Sequence, residues 1–322
     1  MPSFERRVGE VILLDTSVVF NPSSAEPSIK TYIICMLIDL QLHSNYSDGY
    51  LTPTEVAKFI ASQGVRVAAL TDHNTVGGLG EFRRACRQYR IKPITGLELY
   101  AKLGGTRLNL LWFNFDEKDA SLHDLLRNSQ IRRKIKVRKI LKKLKRKGFE
   151  IDINKILDKY THYVPLNHVV DDVWAIPANR AKIKRELKIK NPREGEIIGQ
   201  YFRNKDISIL RESYTDIKKI LALRKKIGGQ LIFNHPGKHD QLRRKLLEKL
   251  KRLGVDGIEV LSPHHSIGAV MYSQAMAKEL DFITTGGSDF HRHERENLPI
   301  NNSWNYFKID SKYLREVNKI IG

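Results

Sequence analysis

The sequence contains little that would suggest export or a membrane. It has two cysteines, Cys35 and Cys86, and their spacing matches no metal-binding motif. No apolar run reaches the roughly 18 residues that a membrane-spanning helix needs. Near the N-terminus, Glu10 and Asp15 interrupt the apolar residues before a signal-type region can form. We therefore expect a cytoplasmic protein without membrane insertion, whose thiols are reduced.

Acidic residues are also scarce. The chain has 36 Asp and Glu against 56 Lys and Arg, which gives a formal net charge of +20 over 322 residues. Such an excess favours polyanionic partners such as nucleotides, RNA, DNA or anionic lipid. A solvated basic surface would give the same net charge, so the charge alone does not identify a partner. Protein partners are not indicated by any segment.

Strand-like and helix-like segments alternate through much of the chain. The apolar run "MLIDLQLH" predicts a first strand, and "TPTEVAKFIASQG" predicts a helix that is capped by Thr52 and Glu55 and ended by Gly64. Repeated alternation of this kind indicates βαβ units and a largely parallel sheet. We expect residues 1–35 to be an N-terminal appendage and residues 36–115 and 227–322 to be two halves of one α/β core.

The intervening residues 116–226 are predicted to form a basic helical insertion domain. The segment Ile131–Lys147 has eleven basic residues and no acidic one. Its apolar residues predict one helical stripe made of Ile131, Ile135, Val137, Ile140, Leu141 and Leu144. The basic face could be merely solvated, lie on an anionic membrane surface or guide a polynucleotide.

Ionisable side chains gather where the predicted strands end. They are His43, Asp48, Asp72, His73, Glu98, His235, His264, His265, Asp289 and His291. The carboxyl ends of the strands in a parallel α/β barrel open on one face, so these side chains should meet in one pocket. A single histidine of this kind is usually a core or capping residue, but seven or more at successive strand ends favour a metal site. Imidazole and carboxylate ligands suit Zn²⁺, Mn²⁺ or Fe²⁺, and a carboxylate such as Glu98 could bridge two ions.

The motifs at these strand ends resemble those of a known family. "QLHSNYSDG", "TDHNT", "GLE", "NHP" and "GSDFH" are similar to the motifs of the PHP (polymerase and histidinol phosphatase) metal-dependent phosphoesterases, in the family's order. The resemblance covers about 36–115 and 226–295 and implies a distorted (β/α)7 barrel with a helical insertion domain. Within the family, the sequence most resembles the 3',5'-nucleoside bisphosphate phosphatases and 5'-3' exoribonucleases.

The resemblance also implies roles for particular residues. Three neighbouring metal positions would be formed by His43, Glu98 and Asp289; by Glu98 and His235; and by Asp48, His73 and His291. They would hold one to three divalent ions, foremost Mn²⁺, with Zn²⁺, Fe²⁺ and Mg²⁺ as alternatives. Asp289, His291 and His265 would act in catalysis, although the adjacent His264 leaves the last assignment open by one residue. His168 would contact a substrate phosphate, or else cap a helix.

Two positions depart from the family pattern. Gln41 stands where the family has the first histidine of its HxH motif, and Asn109 stands where it has a histidine in the strand after Glu98. An amide oxygen can bind Mg²⁺ or Mn²⁺ but is a poor Zn²⁺ ligand, and its nitrogen repels a cation. Gln41 is thus a weak candidate ligand and Asn109 a candidate substrate contact, and two of the three metal positions lack a strong ligand.

These observations lead to one preferred function and two alternatives. We expect a metal-dependent phosphoesterase that hydrolyses phosphate esters of nucleotides or RNA 5' ends through a metal-activated water. The first alternative is a catalytically degenerate domain that binds nucleic acid or nucleotides. The second is a phosphatase of a small metabolite, of the histidinol phosphatase type, which would leave the basic insertion unexplained.

Overall fold

A computed structural model describes residues 36–205, 207–239, 241–293 and 308–322. These described residues all belong to one compact unit. The appendage expected at 1–35, including Cys35, lies outside the described residues. Cys86 is buried and unpaired, and burial raises the pKa of its thiol to about 12.

Strands and helices alternate along most of the described chain. The strands are β1 (Leu37–Leu42), β2 (Val67–Leu70), β3 (Lys92–Leu103), β4 (Thr106–Phe113), β5 (Arg203–Asn204), β6 (Ser208–Ile209), β7 (Thr215–Asp216), β8 (Gln230–Phe233), β9 (Gly257–Leu261), β10 (Ile283–Gly286) and β11 (Ile309–Asp310). The helices are α1 (Pro53–Ser62), α2 (Leu79–Gln88), α3 (Ala120–Arg146), α4 (Ile153–Asp158), α5 (Leu166–Ala175), α6 (Pro177–Leu187), α7 (Glu194–Phe202), α8 (Ile217–Ile227), α9 (Arg244–Leu253), α10 (Ile267–Glu279) and α11 (Asn318–Ile321).

The main sheet curls into a nearly closed barrel, which confirms the predicted α/β barrel. Its strand order is β10-β9-β8-β4-β3-β2-β1-β11. The segment after β10 closes the barrel on β1, where the His43 N–H donates to the Phe290 carbonyl oxygen at 3.0 Å. Neighbouring strands are parallel from β1 to β3 and from β8 to β10.

Two strands of the main sheet depart from the largely parallel pattern that the sequence predicts: the short edge strand β11, which is antiparallel to β1, and β4. β4 runs antiparallel to both β3 and β8. β3 and β4 form a hairpin whose two-residue turn includes Gly104 at a φ of +58°, a left-handed backbone angle that favours glycine. The reversed direction brings the beginning of β4 to the barrel end where the parallel strands finish, so Asn109 lies opposite Tyr100 near the end of β3.

The predicted start of α1 is confirmed in detail. Thr52 accepts a hydrogen bond from the Glu55 N–H at 3.2 Å, and the Glu55 carboxylate accepts one from the Thr52 N–H at 2.8 Å. Pro53 occupies the first helical turn, where its missing N–H costs nothing. This capping box fixes the helix that follows the loop containing His43 and Asp48.

Two hydrophobic clusters divide the middle of the chain differently from the predicted insertion. The second half of α3 packs with α4, α5, α6 and α7 in a cluster of its own. The first turns of α3 and all of α8 pack against the barrel strands instead. The packed insertion is therefore narrower than 116–226, and the domain boundaries stay a prediction.

The buried face of α3 differs from the predicted stripe. Val137, Leu141 and Leu144 are buried as expected, but Ile131 and Ile135 are about half exposed, at 51% and 49%. At about 100° per residue, Ile135 lies roughly 200° around the helix from Val137. Arg133 precedes the buried Val137 by four residues, about one helical turn, and therefore lies on the buried face. Its side chain is 1% exposed.

No helix in the described ranges is both long and apolar enough to span a membrane. α3 has sufficient length, but it carries ten basic residues between Arg132 and its end at Arg146.

Asp39, in β1, ties that strand to the segment that closes the barrel. Its Oδ1 accepts hydrogen bonds from the N–H groups of Gln41 at 3.2 Å and Ser288 at 3.0 Å. Burial raises the pKa of the Asp39 carboxyl from 3.8 to about 7, although the hydrogen bonds from Ser288 and Gln41 oppose the shift. Ionising this residue therefore costs more in the folded chain than in the unfolded chain.

We expect Asp39→Asn to stabilise the protein in a pH-dependent way. The amide oxygen can still accept both hydrogen bonds, and the buried charge is removed. Between pH 4 and pH 7 the unfolded wild-type chain ionises Asp39 while the folded chain keeps it protonated, so wild-type stability falls. The excess melting temperature of the variant should grow over this window and level off above pH 7. Thermal unfolding in chelator, with Asp124→Asn as an exposed control, would contradict the expectation if the excess did not change with pH.

Candidate metal centre

The ionisable residues predicted at strand ends do converge at one end of the barrel. His43 directly follows β1, and His73 and His235 follow β2 and β8 within three residues. Asp289 and His291 lie in the segment after β10, whereas Glu98 lies within β3 rather than at its end. The side chains of His43 and Glu98 are fully buried and that of Asp289 is 5% exposed.

The first group joins His43 to two carboxylates. His43 Nε2 lies 3.1 Å from Asp289 Oδ1 and 3.3 Å from Glu98 Oε2. Both ring nitrogens of His43 are buried without a hydrogen-bond partner. The nitrogen thus faces two oxygens without donating to either, which is how ligand atoms are arranged when they point at a common centre.

The second group adjoins the first through His43. Asp48 Oδ2 lies 3.4 Å from His73 Nε2. Asp48 Oδ1 lies 3.3 Å from His291 Nε2 and 3.5 Å from His43 Nδ1. In each of the two groups one ligand atom per residue lies within 4.8 Å of every other. Both groups therefore have at least three imidazole or carboxylate ligands within reach of one ion.

The spacing of these atoms fits a divalent metal. Ligands about 2.1 Å from a tetrahedral ion are separated from one another by about 3.4 Å. The nitrogen to oxygen distances quoted for the two groups run from 3.1 to 3.5 Å. Together with the buried, unpartnered nitrogens of His43, this spacing shows that the residues suit a metal ion.

The remaining predicted position is poorer in ligands. His235 Nε2 lies 3.4 Å from Glu98 Oε1, but the same oxygen accepts a hydrogen bond from Asn109 Nδ2 at 2.9 Å. Gln41 Nε2 donates to Asp289 Oδ1 at 3.0 Å and lies 3.4 Å from Glu98 Oε2. Both amides at the positions that depart from the family pattern thus direct N–H groups at the shared carboxylates.

The two adjacent histidines have different surroundings. His264 Nε2 lies 2.6 Å from Asp289 Oδ2. His265 instead connects β9 to the turn after β8, because its Nδ1 donates to the Val260 carbonyl at 2.8 Å and its Nε2 accepts from the Gly237 N–H at 3.1 Å. The structure therefore brings His264 to the centre and turns both ring nitrogens of His265 toward backbone groups.

Lys238 joins the centre although the sequence analysis did not select it. Its Nζ lies 3.3 Å from Asp289 Oδ2 and 3.2 Å from His264 Nε2. The sequence did contain a signal for this lysine, because in "NHPGK" it lies three residues after His235. A short helical turn at Pro236–His239 brings it back toward the end of β8.

The carboxylates of the centre stay ionised despite their burial. Burial alone raises the pKa of Glu98, but nearby His73, His235 and His43 outweigh it and hold the pKa well below its usual value. Burial acts on Asp289 in the same way, and His291, His264 and Lys238 hold its pKa well below the usual value. A cluster of buried carboxylates that remain charged is suited to a cation.

Asp72 was grouped with the other strand-end residues but has a positioning role. Its Oδ1 accepts from the Ser44 N–H at 2.8 Å and from Ser47 Oγ at 2.6 Å, and its Oδ2 accepts from Ser44 Oγ at 2.6 Å. These bonds hold the turn that leads to Asp48. They leave Asp72 outside both groups of candidate ligands.

The backbone near the centre is tightly constrained. Asp289 has a φ of +52° and His235 a φ of +24°, both unusual for residues with a side chain. A Cβ on Gly287 would lie 2.3 Å from Cβ of Gln41. Only glycine at position 287 lets the closing segment approach β1 closely enough to bring Asp289 beside His43.

The centre opens into a cavity of about 390 Å³. Asp48, His73, His235, Asp289 and His291 lie in its wall, and the rest of the lining includes Tyr50, Asn109, Tyr100, Arg133, Tyr163, Asn167, Arg203, Glu212, Tyr214, Lys238 and Arg292. Arg133 lies 2.9 Å from Glu212 and donates from Nε to the Val164 carbonyl at 3.0 Å. α3 thus supplies a buried cation to the same cavity as the candidate ligands.

His168 lies beside this cavity rather than among its lining residues. Its ring is 4.5 Å from that of Tyr50, and its Nε2 is buried without a hydrogen-bond partner. The neighbouring Asn167 lines the cavity and donates to the backbone oxygen of Asp48 at 2.7 Å. His168 is the third residue of α5, and its side chain does not cap that helix.

Comparison with known proteins agrees with the geometry. The model of the PHP domain matches residues 39–263. The chain belongs to the PHP domain family. A 5'-3' exoribonuclease of Haemophilus influenzae is 28% identical over 263 residues, covering 79% of this chain and 89% of the relative. A 3',5'-nucleoside bisphosphate phosphatase of Chromobacterium violaceum is 26% identical over 267 residues, covering 79% and 87%.

A solved structure supports the fold of this PHP domain. A protein of Bifidobacterium adolescentis, described as a metal-dependent phosphoesterase, superposes with a TM-score of 0.68 at 21% identity. The match covers 82% of this chain and 91% of the other. The two chains therefore share a fold over most of their length.

We expect Mn²⁺ to raise the melting temperature of the metal-free PHP domain. An ion that binds only the folded chain stabilises it by about 2.7 kcal/mol at a hundred times its dissociation constant. Asp48→Asn should lose much of this shift, because Asp48 contacts three candidate imidazole ligands. Asp124→Asn, on the exposed surface of α3, should retain it. Equal shifts in both variants would contradict the assignment of Asp48.

We also expect Gln41→His together with Asn109→His to increase the number of bound ions. The substitutions remove the N–H groups that face Glu98 and Asp289 and add two imidazole ligands. Elemental analysis after dialysis against Mn²⁺ should show more metal per chain than in the wild type. An unchanged metal content would mean that the amides do not limit the site.

Proposed function

We propose that this PHP domain is a metal-dependent phosphoesterase that acts on nucleotides or on RNA 5' ends. The observation that supports the proposal is the shared cavity, whose lining combines imidazole and carboxylate groups with Arg133, Arg203, Lys238 and Arg292. A phosphate ester needs both features: a metal next to the phosphorus, and cations for its remaining charge. The names of the relatives support nucleotide or RNA substrates.

We propose that the metal is held by the two groups around His43. His43, Glu98 and Asp289 form one candidate ligand set, and Asp48, His73 and His291 form the other. When bound, a divalent ion supplies a coordinated water of lowered pKa and offsets phosphoryl charge. Mn²⁺ is the proposed ion because it accepts mixed imidazole and oxygen ligands. His235, with Glu98 alone beside it, is proposed as an incomplete third position.

The other cavity residues are proposed to bind and orient the substrate. His264 takes the place that the sequence analysis preferred for His265, since its ring contacts Asp289. Lys238 offers an ammonium group beside the same carboxylate. The buried Arg133 pairs with Glu212 through Nη1, but its Nη2 has no hydrogen-bond partner and is proposed to receive a phosphate oxygen. Tyrosine rings in the wall provide surfaces on which a base can stack.

A second candidate is a degenerate PHP domain that binds nucleotides or RNA without hydrolysis. The N–H groups of Gln41 and Asn109 favour it, since they face carboxylates that would otherwise bind metal. The complete Asp48, His73 and His291 group favours the enzyme.

A nucleotide or RNA substrate also agrees with the expected cytoplasmic location.

The proposed activity predicts Mn²⁺-dependent phosphate or mononucleotide release. Candidate substrates are adenosine 3',5'-bisphosphate, a short 5'-phosphorylated RNA and histidinol phosphate. His73→Ala should lower kcat by at least about a hundredfold, because even outer-shell partners of metal ligands cost ten- to hundredfold. Lys145→Ala, at the exposed end of α3, should keep full activity.

The outcomes separate the candidates. Hydrolysis of histidinol phosphate alone would favour the small-metabolite phosphatase. Chelator-insensitive RNA binding without hydrolysis of any substrate would favour the degenerate domain. Full turnover by His73→Ala would refute the assigned centre.

A further inference from the structure

A second concave surface lies beside the cavity of the metal centre. It is a groove of about 510 Å³, and its lining includes Lys102, Arg132, Tyr214, Asp216 and Lys219. We call it the basic groove. It runs between the end of β3, the middle of α3 and the beginning of α8, so both the barrel and the insertion contribute to it.

The basic groove adjoins the cavity at Tyr214, which lines both. A series of rings connects them. The Tyr100 ring stacks on His73 at 4.5 Å, and the Tyr214 ring meets Tyr100 edge to face at 5.8 Å. The Arg107 guanidinium lies over the far side of this series, 5.8 Å from the Tyr214 ring. Aromatic and cationic surfaces thus lead from a candidate ligand to the outside.

The cations of the groove are available to a ligand. Lys102, Arg132 and Lys219 are exposed, and within the described part of the chain none of them pairs with a carboxylate. The groove's own carboxylate, Asp216, already accepts a hydrogen bond from the Lys218 N–H at 2.9 Å at the start of α8. Arg132 Nε donates to Ser213 Oγ at 3.0 Å, which fixes the guanidinium at the groove.

We propose that the basic groove binds the nucleotides of a single-stranded RNA that follow the terminal nucleotide held in the cavity. Proteins that track a single strand combine a cationic groove for the backbone with aromatic rings on which bases stack. Tyr214 supplies the ring at the point where the strand leaves the cavity, and Lys102, Arg132 and Lys219 supply the charge. A duplex would keep its base faces paired and could not use Tyr214 in this way.

This inference rests on the proposed function and extends it from a mononucleotide to a polymer. A substrate of one nucleotide would fill the cavity and leave the groove without a ligand. The groove therefore favours an exonuclease acting on RNA ends as the principal activity, with release of phosphate from a bisphosphate nucleotide as the reaction of the shortest substrate.

The test compares two double charge reversals. The groove variant is Lys102→Glu with Lys219→Glu. The matched control is Lys142→Glu with Lys145→Glu, which makes the same charge change on the exposed distal half of α3, where Lys145 is about 20 Å along the helix from Arg132. Binding of a 3'-labelled, 5'-phosphorylated eight-nucleotide RNA is measured by fluorescence anisotropy in chelator. Turnover of adenosine 3',5'-bisphosphate is measured with Mn²⁺.

The groove variant should bind the RNA at least about tenfold more weakly than the wild type. The slope of log Kd against log salt should fall by about 1.4, because each phosphate contact on a single strand releases about 0.7 counterions. Turnover of the bisphosphate should be unchanged, which also shows that the variant is folded. The control variant should keep both the RNA affinity and the slope.

Several results would overturn the proposal. Equal losses in the two variants would mean that RNA responds only to overall charge. Undiminished RNA binding by the groove variant, or equally strong competition by a duplex of the same length, would also refute it. Failure of the wild type to hydrolyse any substrate would refute the proposed function alone, because the anisotropy comparison would still decide whether RNA lies in the groove.

Discussion

The end of the barrel depends on the compensation of buried carboxylate charge. Glu98 is completely buried in β3, yet its surroundings keep it ionised. A buried charge without partners would cost several kcal/mol, so the fold must surround it with hydrogen-bond donors or positive groups. His43, His235, Asn109 and Gln41 approach its two oxygens from four directions. Three strands other than β3 supply them, so the charge of one residue relates four separate parts of the barrel.

The neighbouring features hold these strands in the required positions. The Asp39 carboxylate and the close approach at Gly287 bring the segment after β10 against β1. The hydrogen bonds of Asp72 hold the loop that carries Asp48. These groups contact no candidate metal position, but they decide whether the ligand atoms meet. The positive φ of Asp289 shows that the backbone accepts strain so that this side chain can turn inward.

Much of the centre could be predicted from the sequence because strand ends in an α/β barrel meet at one face. That rule located His43, His73, His235 and Asp289 correctly with respect to one another. It could not explain the position of Asn109, since the rule assumes parallel strands and β4 is reversed. In that case the beginning of the strand, not its end, reaches the centre. The family motif, not the pattern of strands, directed attention to Asn109.

Other residues escaped prediction because their surroundings are formed by distant parts of the chain. A basic run such as Ile131–Lys147 gives no sign that Arg133 is buried, because its carboxylate partner Glu212 lies in another segment. Periodicity alone also predicts Ile131 and Ile135 on the buried face of α3, whereas both are about half exposed. In a strongly basic helix an isoleucine need not be a core residue. Lys238 was not predicted, because His235 alone already explained the similarity of "NHP" to the family motif.

The charges of the centre bear on how many divalent ions it could hold. Asp48, Glu98 and Asp289 carry three negative charges, and Lys238 balances one of them at Asp289. A single divalent ion balances the other two when the histidines are neutral, as they are when they bind metal. Additional ions would each need further negative groups, yet Gln41 and Asn109 direct N–H groups at the carboxylates that would serve them. We infer that these residues do not merely weaken the site. We propose that amide donors and one ammonium group satisfy carboxylates for which extra metal ions would otherwise be needed. Of the two candidate ligand sets, the group of Asp48, His73 and His291 is then the favoured place for a single ion.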